Sequence, residues 1–387
     1  MISLKSLQKI VNLMKVFFHP SLFKAYLRLV QELEDKGFLP KNTEEDILIS
    51  DRLIKNYKSL ALDFNFEKDE IYKLGPIWRK STSGVLNQYI QRLERDESYG
   101  LSILLSSFYR TSGCKVFSWY TDWYRCHCAY FFNAELVVRV NEMYQKLQQI
   151  ERSSKVKVDL YDTNKVGNPI LVNINELNLH IGNLYYLAHV FEILNHTELD
   201  VNGEYLFVDL GAGNGNFIKL LLKTFPNSKA IIFDIPITLV FSSYYLIKNF
   251  PEKQIGLHSD IKEISCGLEQ YDIICLPHFR IEELPVNSVD LFLNTGSLSE
   301  MNENTALHYL SIIKKTVKAG GYFYTYNHYH THKRRKKSGE YRIDLGVKGL
   351  IERSKFNSFK LVSEGHINLL KQKKFKNIIL QKINKGL

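Results

Sequence analysis

Apolar positions change their period near residue 200. Before it they recur every three or four residues: Leu4, Leu7, Ile10, Val11 and Met14 lie at helical spacing, with Lys5, Lys9 and Lys15 between them. His19-Pro20 interrupts this helix, because the residue before proline avoids the α region. Leu22 to Leu33 resumes it as far as Gly37, and the same spacing predicts helices over 46–59, 83–97, 131–150 and 177–194. After residue 200, short apolar runs alternate with helical segments. Runs at 206–209, 229–234, 271–278, 291–293 and 322–326 read as buried strands, with helices between them over 217–223, 237–250 and 304–317. Residues 251–270 read as irregular, a lid or an insertion, and Lys318-Ala319-Gly320-Gly321 as a left-handed helix stop. This alternation predicts an α/β fold with a parallel sheet. The boundary falls near residue 165, at the Val166-Gly167-Asn168-Pro169 turn, giving a mainly helical domain over 1–165 and an α/β domain over 166–387.

Composition narrows the classes. At 387 residues, 45% hydrophobic and 24% charged, the chain reads as a soluble globular protein of two domains. Cys114, Cys126, Cys128, Cys266 and Cys275 are scattered and odd in number, which argues against a disulfide framework. Cys126-His127-Cys128 has no second Cys/His pair at zinc-ligand spacing, so no metal is expected. No apolar run reaches about 18 residues and no signal peptide is evident, so the expected compartment is cytoplasmic. The basic amphipathic start either packs on its own domain or touches the inner face of a membrane as a peripheral contact. Val116 to Tyr124 is dense in aromatics, which serve ordinary cores and also bind sugar faces or nucleobases.

The formal charge of +10 is uneven. Residues 331–387 hold 16 Lys and Arg against 4 Asp and Glu, a local +12 that leaves −2 for the rest. Such a region is a solvated surface or a dock for phosphates.

The most informative stretch is Leu206-Phe207-Val208-Asp209-Leu210-Gly211-Ala212-Gly213-Asn214-Gly215-Asn216-Phe217. A strand ends in an acid, three alternate glycines form a tight turn, and a helix begins. In the dinucleotide fingerprint the third glycine would fall at 216, which is Asn216. The Gly-x-Gly-x-Gly spacing after Asp209 instead resembles the first motif of Rossmann-like, seven-stranded S-adenosylmethionine (SAM) methyltransferases. The resemblance covers residues 200–387. It implies that Gly211, Ala212, Gly213, Asn214 and Gly215 pass close to the cofactor, with Asp209 near its ammonium group. Asp234, 25 residues after Asp209, would accept the ribose hydroxyls, with Ile235 beside it. Where many members have Gly-Asp-Ala after the third strand, this chain has His278-Phe279-Arg280, so adenine would stack on Phe279 or be held by backbone groups. Asp260 is the substitute if the third strand lies elsewhere. Residues 359–363 and 376–382 would supply the fold's antiparallel hairpin.

Acceptor motifs narrow the chemistry. There is no Asn/Asp-Pro-Pro-Tyr after the fourth strand and no Pro-Cys nucleophile. Asn294-Thr295-Gly296-Ser297-Leu298-Ser299-Glu300-Met301 resembles the Asn-x-x-Ser-x-x-Glu-Met pattern of bacterial sugar O-methyltransferases encoded with surface-polysaccharide genes. Phe233-Asp234-Ile235-Pro236 with Tyr244 and Tyr245, and Gly167-Asn168-Pro169, are similar to the same family, although it often has Glu where this chain has Asp209. The resemblance implies Asn294 and Ser297 at the cofactor, a helical N-terminal region over the acceptor, and a sugar acceptor that is nucleotide-linked, lipid-linked or part of a glycan. Nucleic acid is not expected, and the oligomeric state is not fixed by the sequence. A sugar hydroxyl is a weak nucleophile, so a base is needed. The candidates are His328, Glu300 and His330, with His332 beyond them. Residues 326–332 alternate, so an extended chain would set the three histidines on one face. An RNA or protein methyltransferase, and a non-catalytic scaffold, are the alternative readings.

Overall fold

The computed structural model describes residues 11–12, 14–35, 43–63, 71–73, 75–111, 130–153, 161–330, 332–335, 341–344, 346–367 and 374–383. Val116 to Tyr124, Cys126-His127-Cys128 and the first turns of the N-terminal helix lie outside them. The chain forms two compact units, one of Met1–Arg52 with Val85–Phe191 and one of Leu53–Gly84 with Glu192–Leu387.

In the first unit, helix Pro20–Asp35 packs against helix Tyr130–Ser153 and against the strand Val172–Ile174. That strand pairs antiparallel with Leu177–Leu179, where the sequence pattern predicts helix. Asn175 and Glu176 both take positive φ, 50° and 66°, the conformation of a two-residue hairpin turn, so the helix starts only at Ile181. The expected turn at Gly167-Asn168 is present, with φ of 77° and 55°. A Cβ on Gly167 would overlap the Phe108 ring. Buried Arg110 fixes the turn from below, donating from Nε to the Asn168 carbonyl at 2.9 Å and from Nη2 to the Pro169 carbonyl at 3.3 Å.

The second unit is built on one sheet. Its strands are β1 (Leu206–Leu210), β2 (Lys229–Asp234), β3 (Ile255–Leu257), β4 (Ile273–Pro277), β5 (Val289–Thr295), β6 (Val317–His328), β7 (Phe359–Gly365) and β8 (Phe375–Lys382). The helices are α1 (Asn216–Thr224), α2 (Pro236–Asn249), α3 (Ile264–Gln270), α4 (Glu303–Thr316) and α5 (Val347–Arg353). The order across the sheet is β7-β8-β6-β5-β1-β2-β4-β3. The first six strands are mutually parallel, and β8 and β7 close one edge as the expected antiparallel hairpin. The sheet therefore has eight strands where seven are expected. The addition is β3, which with α3 comes from the stretch read as irregular.

The central strands are apolar on both faces because helices cover both: Phe207, Val208, Ile231, Ile232, Phe233, Phe292 and Phe323 are all fully buried. Helix α4 starts on an Asn302 side chain that accepts the Thr305 N–H at 2.9 Å. It ends at Thr316 without the expected left-handed stop, since Val317 is already extended (φ −62°, ψ 132°). The Gly320-Gly321 pair instead sits in a bulge, where the β5–β6 register moves from Val289↔Val317 to Leu291↔Tyr322.

Part of the Leu53–Gly84 segment crosses this unit. Thr305 Oγ1 donates to the Ile71 carbonyl at 2.9 Å, and Ser259 N–H donates to Asn56 Oδ1 at 2.9 Å. Tyr72 is 5% exposed; its hydroxyl lies 2.5 Å from Glu282 Oε1 and 3.1 Å from His308 Nε2, and its carbonyl is 3.0 Å from His278 Nε2. Among the described residues, no helix is long and apolar enough to cross a membrane.

The edge beyond β4 hangs on Arg280. Its guanidinium reaches the Ile261 carbonyl at 2.7 Å, the Lys262 carbonyl at 3.0 Å and both oxygens of Glu283 at 2.6 Å. Arg280→Ala would leave the Ile261 and Lys262 carbonyls without this donor and Glu283 without its ion pair. Urea titration should show a loss of about 2–3 kcal/mol, whereas Lys262→Ala should cost less than about 0.5 kcal/mol.

Candidate functional site

Strand β1 lies between β2 and β5, so the chain order reverses beside it, and such a switch point opens a crevice at the carboxyl ends of the strands. The glycine loop fills that place. Gly211, Gly213 and Gly215 all take left-handed φ, of 80°, 59° and 79°, which a Cβ would strain. The Gly211 N–H donates to the Phe233 carbonyl at 2.7 Å, and a Cβ there would come within 2.5 Å of Ser297 Oγ. Ala212 and Asn214 are buried, and Asn214 Oδ1 accepts the Asn216 N–H at 3.2 Å. Asn216 Oδ1 in turn accepts from the Tyr245 hydroxyl at 3.1 Å, which accepts from Lys219 Nζ at 2.9 Å. A dinucleotide site packs helix on strand through a glycine at this position. Here a buried polar chain does it, and burial together with Lys223 pushes the Lys219 ammonium down to about 7.

Two carboxylates frame the loop. Asp234, at the end of β2, accepts the Gly213 N–H at 2.8 Å on one oxygen and the Ile235 N–H at 2.7 Å on the other. Burial raises its pKa to about 7 against the opposing effect of those two bonds. Asp209, at the end of β1, is 1% exposed, and its Oδ1 has no hydrogen-bond partner among the described residues. Burial and then the charge of Asp234 push its carboxyl well above the usual carboxylate range. A buried acceptor without a donor is what an ammonium group would satisfy, and left-handed glycines leave backbone uncovered beside it. These residues fit the methionyl and ribose parts of SAM.

The segment after β5 is held rather than free. Asn294 is fully buried; its Nδ2 donates to the Leu210 carbonyl at 2.8 Å and reaches Ser297 Oγ at 2.5 Å, and its Oδ1 accepts the Leu298 N–H at 3.2 Å. Ser297 Oγ donates to the Leu210 carbonyl at 3.2 Å. The two residues thus tie the end of β5 to the end of β1, just before the glycine loop. Asn327, in β6, completes the tie: its Nδ2 donates to Asn294 Oδ1 at 2.9 Å, and its Oδ1 accepts the Ser299 N–H at 3.2 Å. The sequence reading missed Asn327 by following the histidines on either side of it. An asparagine inside a buried aromatic strand was the available signal.

Strand β4 pairs directly with β2, so His278-Phe279 does follow the third strand of the sheet core, as expected. Phe279 is half-buried, edge-on to His278 (5.9 Å between centroids) and to His258 (6.3 Å). Asp260 caps its own turn by accepting the Leu257 N–H at 3.0 Å beyond the edge strand β3. Tyr72 carried no sequence signal that would have linked it to His278.

Of the base candidates, Glu300 is half-buried at the end of the Asn294–Met301 segment. His328 closes β6 and lies on the Phe375 ring at 4.2 Å, beside Tyr326 stacked on the same ring at 5.3 Å. His330 is exposed, edge-on to Tyr329 at 4.6 Å. The single histidine face expected over 326–332 does not form. Strand β6 ends at His328, the Tyr329 N–H still bonds the Lys374 carbonyl in the β6–β8 register, and His332 opens a separate hairpin.

No protein-family model matches the chain, and no curated protein matches it. Among solved structures, human N-acetylserotonin methyltransferase in complex with SAM is 16% identical over 52% of this chain and 54% of its own, with a TM-score of 0.33. Geranyl diphosphate C-methyltransferase from Streptomyces coelicolor A3(2), with S-adenosyl-L-homocysteine, is 11% identical over 52% of this chain and 82% of its own, with a TM-score of 0.36. 1,6-Didemethyltoxoflavin-N1-methyltransferase from Burkholderia thailandensis, with S-adenosylhomocysteine, is 13% identical over 53% of this chain and 79% of its own, with a TM-score of 0.34.

The carboxyl pair makes stability depend on pH. Each folded-state pKa lies above its unfolded value, so between them the folded protein keeps protons that the unfolded chain has released. The contribution of the pair is fullest below about pH 4 and falls as pH rises through about 7, the value Asp234 reaches. Asp209→Asn removes a buried carboxyl whose Oδ1 has no hydrogen-bond partner among the described residues. In urea titrations it should raise stability at pH 8 by about 1–3 kcal/mol, flatten the decline with pH, and weaken S-adenosylhomocysteine binding.

Proposed function

We propose that the protein is a SAM-dependent O-methyltransferase that methylates a sugar hydroxyl in the making of a surface polysaccharide. The observation that carries the cofactor is the pair of buried carboxylates at the carboxyl ends of β1 and β2, with the glycine loop between them and Asp209 Oδ1 without a partner among the described residues. SAM, when bound, supplies an electrophilic methyl group on a sulfonium. Asp209 holds its ammonium. Asp234 accepts the ribose hydroxyls while keeping the Gly213 and Ile235 N–H groups. Phe279 and Ile235 line the adenine side.

What supports a hydroxyl acceptor is the Asn294–Met301 segment. Its Asn294 and Ser297 side chains are spent on bonds to β1, and Glu300 is the acid the segment carries. His328 and Glu300 are the groups that can take the hydroxyl proton as the oxygen attacks. His330 is the exposed third candidate. Much of the rate comes from holding oxygen and methyl in line, and the rigid Asn294–Asn327 tie serves that alignment.

Calorimetry should show S-adenosylhomocysteine binding, and Asp234→Ala should weaken it by roughly 1.5–3 kcal/mol. Tight binding of NAD with no response to S-adenosylhomocysteine would contradict the reading. With an acceptor in hand, His328→Ala should lower kcat by roughly 10²–10⁴ and leave S-adenosylhomocysteine affinity nearly intact. If Glu300→Ala shows that loss and His328→Ala does not, the carboxylate is the base.

A further inference from the structure

The first unit carries apolar residues on two faces of its leading helices, and its core uses only one. Residues 11–18 are helical where described, the chain bends at His19, and helix Pro20–Asp35 follows. One face does the packing. Val16, Leu22, Ala25, Tyr26 and Leu29 are buried, and helix Pro20–Asp35 lies against Tyr130–Ser153 and Val172–Ile174. The other face is apolar too. Phe18 is 79% exposed, Met14, Phe17 and Leu27 are each about half exposed, and Val11 is exposed beside them. These residues are neighbours. Val11, Met14 and Phe18 follow at helical spacing, the Phe17 ring centroid lies 5.2 Å from that of Phe23, and Leu27 sits one turn after Phe23. Single exposed apolar residues are ordinary, whereas a run of them along one helix face marks a surface that meets something.

The charge around this face indicates what it meets. Residues 1–31 hold five Lys and Arg and no Asp or Glu. Lys15, Lys24 and Arg28 each directly follow an apolar member of the face, Met14, Phe23 or Leu27, which sets them about 100° round the helix at its border. All three are exposed. Lys15 lies 3.4 Å from Glu142 and Arg28 lies 3.8 Å from Glu176, but all four of these side chains are at least 40% exposed. Exposed pairs of this kind hold little energy, so both cations stay available to another anion. Contact with a second copy through the same face would bring two cationic borders together. A bilayer of anionic lipid suits both halves of the pattern. Acyl chains take the Phe and Met side chains, and headgroup phosphates take the Lys and Arg.

We propose that this face binds the surface of an anionic lipid bilayer. Met14, Phe17 and Phe18 enter the boundary between headgroups and acyl chains, and Lys15, Lys24 and Arg28 meet the headgroups. The inference does not rest on the function proposed above.

The test sediments the full chain with vesicles of phosphatidylcholine, alone or with about 30% phosphatidylglycerol, at about 0.15 M salt. The chain should bind the anionic vesicles at least about tenfold more tightly than the neutral ones. Phe18→Glu should weaken that binding roughly 10- to 100-fold, and Lys24→Glu roughly 5- to 10-fold, with the urea midpoint of each unchanged. Depth separates insertion from simple adsorption through the basic residues of 331–387. In Phe18→Trp, brominated lipid in the anionic vesicles should quench fluorescence beyond the quenching seen in the unsubstituted chain. The proposal is overturned if the chain does not bind anionic vesicles, if Phe18→Glu binds them equally well, or if bromolipid adds no quenching in Phe18→Trp. A dimer that Phe18→Glu dissolves, with no vesicle binding, would also overturn it and assign the face to a second copy.

Discussion

Two carboxyl groups, Asp209 and Asp234, are buried at the ends of adjacent parallel strands; burial makes both costly to ionise, and the charge of Asp234 adds to the cost at Asp209. A fold selected only for stability would not keep them. Asp234 is partly compensated by two backbone N–H groups, but Asp209 Oδ1 has no donor among the described residues. The protein tolerates this because the strands around them are dry and apolar on both faces, and because the glycine loop turns its backbone toward the carboxylates. A cationic, hydroxyl-bearing ligand relieves the cost. That is the physical link between this sheet and SAM.

The rest of the second unit keeps the pair in place. Asn294, Ser297 and Asn327 lock the end of β5 to the end of β1, so the acceptor-side segment and the glycine loop form one rigid edge. Behind the loop, the Lys219–Tyr245–Asn216 chain fixes the start of α1. On the other side Tyr72 ties His278 to α4 through Glu282 and His308, and Arg280 clamps the edge strand β3. Hydrogen bonds cross-link neighbouring elements in each of these networks, which gives rigidity around the carboxyl pair.

Much of this was legible in the chain. The strand–acid–glycine pattern at 206–217 and the acid ending 229–234 located the crevice, because buried parallel strands are continuous apolar runs and left-handed turns require glycine. Local patterns failed where long-range pairing decides structure. Leu177–Leu179 has helical spacing but is a strand, since a two-residue turn offers it Val172–Ile174 as a partner. Ile255–Leu257 is too short to show a period and exists by pairing with β4. The histidines at 328, 330 and 332 alternate in sequence, yet the strand stops at His328 and His332 begins a separate hairpin with Tyr341–Asp344 as its partner. Asn294 and Ser297 were flagged by motif; their bonds to the Leu210 carbonyl came only with the fold.

The central claim is that cofactor binding relieves the buried carboxyl pair, and proton release measures it directly. S-adenosylhomocysteine binding should be followed by calorimetry at pH 6 in buffers of different ionisation enthalpy. In the free protein Asp234, at about 7, holds its proton at that pH, and burial pushes Asp209 in the same direction. Ribose hydroxyls donating to Asp234 and an ammonium group placed on Asp209 favour the charged forms, so binding should release protons. The release should shrink in Asp209→Asn. Binding with no proton released at pH 6, or a release unchanged by that substitution, would contradict the account.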